Sequence, residues 1–179
     1  MIYKTEYESP LGKLMLVSDG ENIVGLWLYG QKYFAGGIKE EMVVQDELAV
    51  FDKAKKWLDR YFHGEKVEIS ELPLLPAGSD FRKAVWKILC EIPYGQTMTY
   101  GDIAKKMAVQ CGKNSMSAQA VGGAVGHNPI SIIIPCHRVV GTNKSLTGFA
   151  GGIDKKLWLL KHEGINVDQF TVPLKGTAL

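Results

Sequence analysis

The sequence predicts an N-terminal α/β unit followed by a C-terminal helical unit, and three observations carry that expectation. Two β-type runs stand early, Leu14 to Ser18 and Ile23 to Tyr29, with the turn residues Asp19, Gly20 and Asn22 between them, the pattern of a hairpin. Residues 46–63 place Leu48, Phe51, Ala54, Leu58 and Phe62 near helical spacing, with Gly64 as a stop. Residues 71–80, ELPLLPAGSD, then hold prolines and a glycine and read as a linker. The expected division is residues 1–75 and residues 76–179.

The second unit opens on a helix face made by Phe81, Val85, Ile88 and Leu89. IPYGQ turns the chain, and Thr99 followed by Asp102 has the form of a capping box before YGDIAKKMA. A polar loop at 111–115 leads to a second short helix, SAQAVGGAVGHN. Two short helices joined by a loop fit a helix-turn-helix. They equally fit two packing helices of any α-rich domain, the commoner case for this pattern alone. An apolar run, SIII, follows at 131–134 and reads as a buried strand ended by Pro135. Asp154 is placed to cap a last helix carrying Ile153, Leu157 and Leu160, and Gly164 to end it. The tail after Val167 reads as loosely held.

Composition excludes several classes. The chain has 179 residues, a hydrophobic fraction of 46% and a net charge of +2. No apolar run approaches the roughly 20 residues of a membrane span. The first residues, MIYKTEYESP, are too polar for a secretory signal, so a cytoplasmic protein is expected. The balanced charge neither requires nor forbids a nucleic-acid partner, which would depend on local basic clustering. Lys105, Lys106 and Lys113 lie around the helix pair as such a cluster, or as solvated lysines. The three cysteines, Cys90, Cys111 and Cys136, contain no CxxC pair, which argues against a disulfide framework and against zinc.

Chemistry concentrates at Pro135-Cys136-His137-Arg138. In a strand, neighbouring side chains point to opposite faces, so the thiol and the imidazole could not share a site. A proline ending the strand allows a helical turn that holds both. At the start of that turn, backbone N–H groups favour the thiolate. A thiolate beside an imidazole is a nucleophile pair. Glu163, at a helix C-terminus where the macrodipole disfavours a carboxylate, is a candidate to orient the histidine. The plainer readings are a small buried cysteine, a surface histidine and a tolerated glutamate. Cys90 and Cys111 take the plain reading.

PCHRVVG, preceded by AVGGAVGHNPISIII and followed by TGFAGG and LWLLKHEG, closely resembles the methylated-DNA–protein-cysteine S-methyltransferases, also called O6-alkylguanine-DNA alkyltransferases. The motif series runs from about Asp80 to Gly164. The resemblance implies a ribonuclease H-like N-terminal domain and a winged-helix C-terminal domain. It implies single-turnover transfer of an alkyl group from O6 of guanine, less readily O4 of thymine, to Cys136. His137 would act as base through a bridging water and Glu163 would orient it. Asn128 would brace the active-site turn, and Tyr100 would crowd the target phosphate and assist protonation of the leaving guanine. Val139 and Val140, with Phe149, Ala150 and Gly151, would line the base and alkyl pocket. Gln119, Ala120, Gly123 and Arg138 fall on the segments implied to contact DNA, with Arg138 also placed to hold the turn to its surroundings. The helix pair would enter the minor groove of double-stranded DNA and the target base would be flipped out. A monomer without cofactor or metal is implied, and with no cysteine before Cys90 there is no N-terminal zinc site of the kind some relatives carry.

The chain departs from the family pattern at Gln119, where an arginine often stands, and at Phe149, where a tyrosine is common. Glutamine retains stacking and hydrogen bonding but loses the cation. Phenylalanine keeps an apolar wall and loses a hydroxyl. A multiple-turnover thiol hydrolase built on Cys136, His137 and Glu163 would need an oxyanion hole, and a thiol just downstream of a helix pair of this kind favours DNA instead. A lesion-binding protein without transfer is opposed by Cys136 itself.

Overall fold

The structure, a computed structural model, describes residues 1–173. The chain divides into two compact units, residues 1–78 with 129–133, and residues 79–128 with 134 onward. The short segment 129–133, which the sequence reading left with the second unit, therefore belongs to the first.

The first unit is a four-stranded mixed sheet with one long helix. Strands β1 (Ile2–Ser9), β2 (Gly12–Ser18), β3 (Ile23–Leu28) and β4 (Met42–Val44) lie in the order β3-β2-β1-β4. The pairs β1–β2 and β2–β3 are antiparallel and β1–β4 is parallel. The pleat sends Met15 and Val17 to one face, where they form a core with Trp27 beneath Ile2, Phe34 and Ile38. Helix α1 (Ala49–Phe62) packs on the sheet, burying Phe51, Ala54 and Leu58. The expected hairpin is thus β2–β3. β1 was not anticipated, because its alternating charged residues resemble a polar tail.

The expected strand at 131–134 is not one. Ile130 makes an isolated bridge to Leu26 of β3, where the N–H of Leu26 donates to the carbonyl of Pro129 and the N–H of Ser131 to the carbonyl of Leu26. Ile132 sits at φ +71, a left-handed conformation rare for a β-branched residue. The N–H of Ile133 bonds back to the carbonyl of Ser131 at 2.8 Å. Apolar character predicted the burial correctly, since Ile130, Ile132, Ile133 and Ile134 are all buried. It could not predict the conformation, which follows from a single bridge rather than a ladder.

The second unit packs three helices, α2 (Asp80–Cys90), α3 (Tyr100–Gln110) and α4 (Ala118–Gly126), against one another. Each starts on a polar cap: Ser79 accepts from Arg82 N–H, Thr99 and Asp102 form the expected capping box, and Ser117 accepts from Ala120 N–H. The indole of Trp86 donates to the carbonyl of Ala124 at 2.8 Å, tying α2 to α4. A parallel pair of two-residue strands, β5 (Met98–Thr99) and β6 (Val139–Val140), sits beside them. Helix α5 (Ile153–His162) begins at Gly152 without a side-chain cap, so Asp154 lies in the first turn instead of capping it.

The tail after Val167 is not loose within the described residues. Thr171 bridges Ser145, and Val167 and Phe170 pack on Val140, Leu146 and Leu160. Residues 174–179 lie outside the described residues.

Candidate active site

Pro135 sets the site. It stands at the N-cap of a 3-10 turn over Cys136–Arg138, and its carbonyl accepts from Arg138 N–H at 3.0 Å. The turn brings thiol, imidazole and guanidinium out of one short segment before β6 continues the chain. Cys136 is 5% exposed and His137 fully buried.

Glu163, the C-cap residue of α5, meets the turn. Its Oε1 lies 2.9 Å from Nε2 of His137. Arg138 grips both carboxylate oxygens, with Nε to Oε2 at 2.9 Å and Nη2 to Oε1 at 2.8 Å, and its Nη1 donates to the carbonyl of Ile92 at 2.7 Å. Gly95 N–H reaches Oε2 at 3.4 Å. Gly95 has φ +78, and a Cβ there would stand 3.1 Å from the Glu163 carbonyl, so the IPYGQ turn needs glycine at this point.

The charges follow from this geometry. Burial pushes the Glu163 carboxyl up, but the hydrogen bonds and charge from His137 and Arg138 outweigh it and hold the group well below the usual carboxylate range. Burial pushes the His137 imidazolium down, more than Glu163 raises it. The pair therefore consists of a carboxylate accepting from a neutral imidazole, with Arg138 supplying the balancing positive charge. Nε2 then carries the proton and Nδ1 holds the free lone pair. Among the described residues, Nδ1 has no hydrogen-bond partner.

The thiol is held protonated at rest. Burial raises the Cys136 pKa, opposed by the Asn128 side chain, the charge of Lys156 and the N–H groups of Cys136 and His137. The turn thus offers the N–H groups expected to favour thiolate, but desolvation outweighs them. Asn128 Nδ2 also donates to the carbonyl of Ile134 at 2.8 Å, fixing the chain one residue before Pro135.

Lys156 was missed in the sequence, where it looks like one of two adjacent exposed lysines. It is 0% exposed, and its Nζ donates to the carbonyls of Val139 and Thr147. Burial pulls its pKa down to about 8, partly restored by Cys136. Tyr100 OH donates to the carbonyls of Thr147 and Gly148, at 3.3 Å each, and burial pushes it up to about 12. Phe149 is buried on this loop, beside half-buried Ala150 and Gly151, and Val139 and Val140 are buried in β6.

Gln119, Ala120 and Gly123 lie together on the exposed face of α4. Arg138 does not join them. Grouped by motif with residues facing DNA, it is buried and its guanidinium is committed to Glu163 and Ile92. Lys106 pairs loosely with Glu91 at 3.9 Å, while Lys105 and Lys113 are exposed. Among the described residues there is no cluster of metal-ligating side chains, and no helix is long and apolar enough to cross a membrane.

These features place a buried thiol, imidazole and carboxylate in the same unit as an exposed helix face. Comparison with known proteins narrows the class. Residues 2–76 match the family model for the ribonuclease-like domain of 6-O-methylguanine DNA methyltransferase, and residues 80–165 match the model for its DNA-binding domain. The methylated-DNA–protein-cysteine methyltransferase of Haemophilus influenzae is 44% identical over 92% of this chain and 87% of its own. That of Methanosarcina acetivorans is 42% identical over 91% and 99%. A crystal structure of the Mycobacterium tuberculosis OGT in complex with DNA superposes with a TM-score of 0.79 at 36% identity, covering 94% of each chain. The chain belongs to the methylated-DNA–protein-cysteine methyltransferases, DNA-repair proteins that act by alkyl transfer.

Proposed function

We propose that Cys136 is the alkyl acceptor and that the substrate is O6-alkylguanine, or less readily O4-alkylthymine, in double-stranded DNA. The observation that carries this reading is the order of groups in the second unit: thiol, imidazole and carboxylate, with the last two 2.9 Å apart and buried. Nδ1 of His137 takes the thiol proton, through a bridging water. The thiolate sulfur attacks the alkyl carbon, forming a C–S bond as the C–O6 bond breaks. The electron pair of that bond passes to guanine, which takes up the proton that left the thiol, so charge and atoms balance. Burial keeps Tyr100 a protonated phenol, so it can pass its hydroxyl proton to the leaving guanine and regain one from the imidazolium of His137. A thioether has no good leaving group, so each chain reacts once and no cofactor is required.

The exposed α4 face with Gln119, Ala120 and Gly123 enters the minor groove, and the target nucleotide rotates into the pocket walled by Val139, Val140, Phe149, Ala150 and Gly151. The protein acts as a monomer. The test is intact mass followed by peptide mapping after mixing the chain with duplex DNA containing O6-methylguanine. One methyl group per chain on Cys136 is the expected result. No transfer with lesion-selective binding retained would replace this reading with a binding role.

A further inference from the structure

The loop that carries the pocket wall is held from outside the matched domains. Between Gly141 and Gly152 the backbone is irregular, and Asn143 and Lys144 are consecutive non-glycine residues at φ 60 and φ 59. Left-handed residues in succession persist only where their surroundings hold them. The described tail supplies that hold. Thr171 N–H donates to the carbonyl of Lys144 at 2.9 Å, and Leu146 N–H donates to the carbonyl of Thr171 at 2.8 Å. A 3-10 turn at Val167–Gln169, capped by Asn166, delivers this strand-like contact. Phe170 and Val167 pack against Leu146, which is fully buried. All of these tail residues lie beyond position 165, where the DNA-binding domain match ends.

Three ties therefore meet on one loop. Thr171 fixes residues 144–146, Lys156 and Tyr100 fix the carbonyl of Thr147, and Phe149 follows directly. We infer that residues 166–171 form a strap that sets the position of the pocket wall and so determines which alkyl groups react. The inference rests on the proposed alkyl transfer. A methyl group is small and needs a wall already in place to be aligned with the sulfur. A bulky group makes its own contacts and profits from slack.

The experiment compares single-turnover rates on duplex DNA carrying O6-methylguanine or O6-benzylguanine, normalised to the reactive fraction of each preparation. The proteins are the full chain, a chain ending at Ile165, and the point variants Phe170→Ala and Thr171→Pro. Proline at 171 removes the N–H donated to Lys144, and Phe170 at φ −98 and ψ 148 already has the extended backbone that a following proline requires. The benzyl-to-methyl rate ratio should rise about tenfold on truncation and shift the same way in both point variants. A loss of stability alone would lower both rates together and leave the ratio unchanged. Transfer by the full chain with a ratio constant to within about twofold in the folded variants overturns the strap. If the truncated chain does not fold, the point variants decide. No transfer from either substrate by the full chain defeats the functional reading and the strap with it.

Discussion

His137 Nε2 and Glu163 Oε1 lie 2.9 Å apart with both side chains shielded from solvent, and Arg138 grips the same carboxylate from the other side. The carboxylate thus fixes the ring tautomer and neutralises a buried guanidinium at once. Glu163→Gln should fail on both counts. We expect a loss of about 3 kcal/mol in stability, since a buried charge loses its partner. We also expect transfer to slow about 100-fold, because the amide no longer demands the proton on Nε2. Urea unfolding and single-turnover kinetics measure the two separately.

Acid should destabilise the fold in two stages. His137 is held below its ordinary value of 6.5, so below that pH the unfolded chain binds a proton that the folded chain refuses. Glu163 is held below 4.5, so its contribution is intact above that pH and is lost as the pH falls further. The urea midpoint should therefore decline from about pH 6.5 downward and steepen in the carboxylate range. His137→Gln should flatten the upper limb. An unchanged upper limb would mean that the imidazole titrates alike in the folded and the unfolded chain.

Lys156→Met tests the buried ammonium. Its charge favours ionisation of Cys136, and it titrates at about 8. Removing it should lower the rate of Cys136 alkylation by iodoacetamide about tenfold near neutral pH. The deficit should narrow as the pH passes well above 8, where the wild-type lysine is itself neutral. A deficit constant with pH would reduce Lys156 to a brace between Val139 and Thr147.

Gln119→Arg places a cation on the exposed face of α4. Repair of O6-methylguanine in duplex DNA should accelerate more than reaction with the free base. Equal acceleration of both would remove Gln119 from base flipping.

Much of this molecule was legible before any coordinates. The capping box at Thr99 is local, made by a side chain and an N–H three residues away, so sequence spacing was enough to find it, and the caps at Ser79 and Ser117, which were not read from the sequence, have the same spacing. The turn at Pro135 was legible for the same reason: proline removes an N–H and presets φ wherever it occurs. The cysteine, the histidine and the acid each had a plain reading, and it was the series of motifs around PCHRVVG that set them apart.

By itself, then, the sequence determined the capping box at Thr99, the break at Pro135 and the apolar character of residues 132–134. Only the tertiary structure decided that Ile132 turns left-handed, that residues 129–133 join the first unit, and that the partner of Arg138 is Glu163. It also decided that Lys156 is buried and that Thr171 closes on Ser145. The physical reason is common to all of these. Each depends on a partner distant in sequence, and desolvation or a backbone hydrogen bond is set by what arrives from elsewhere in the chain.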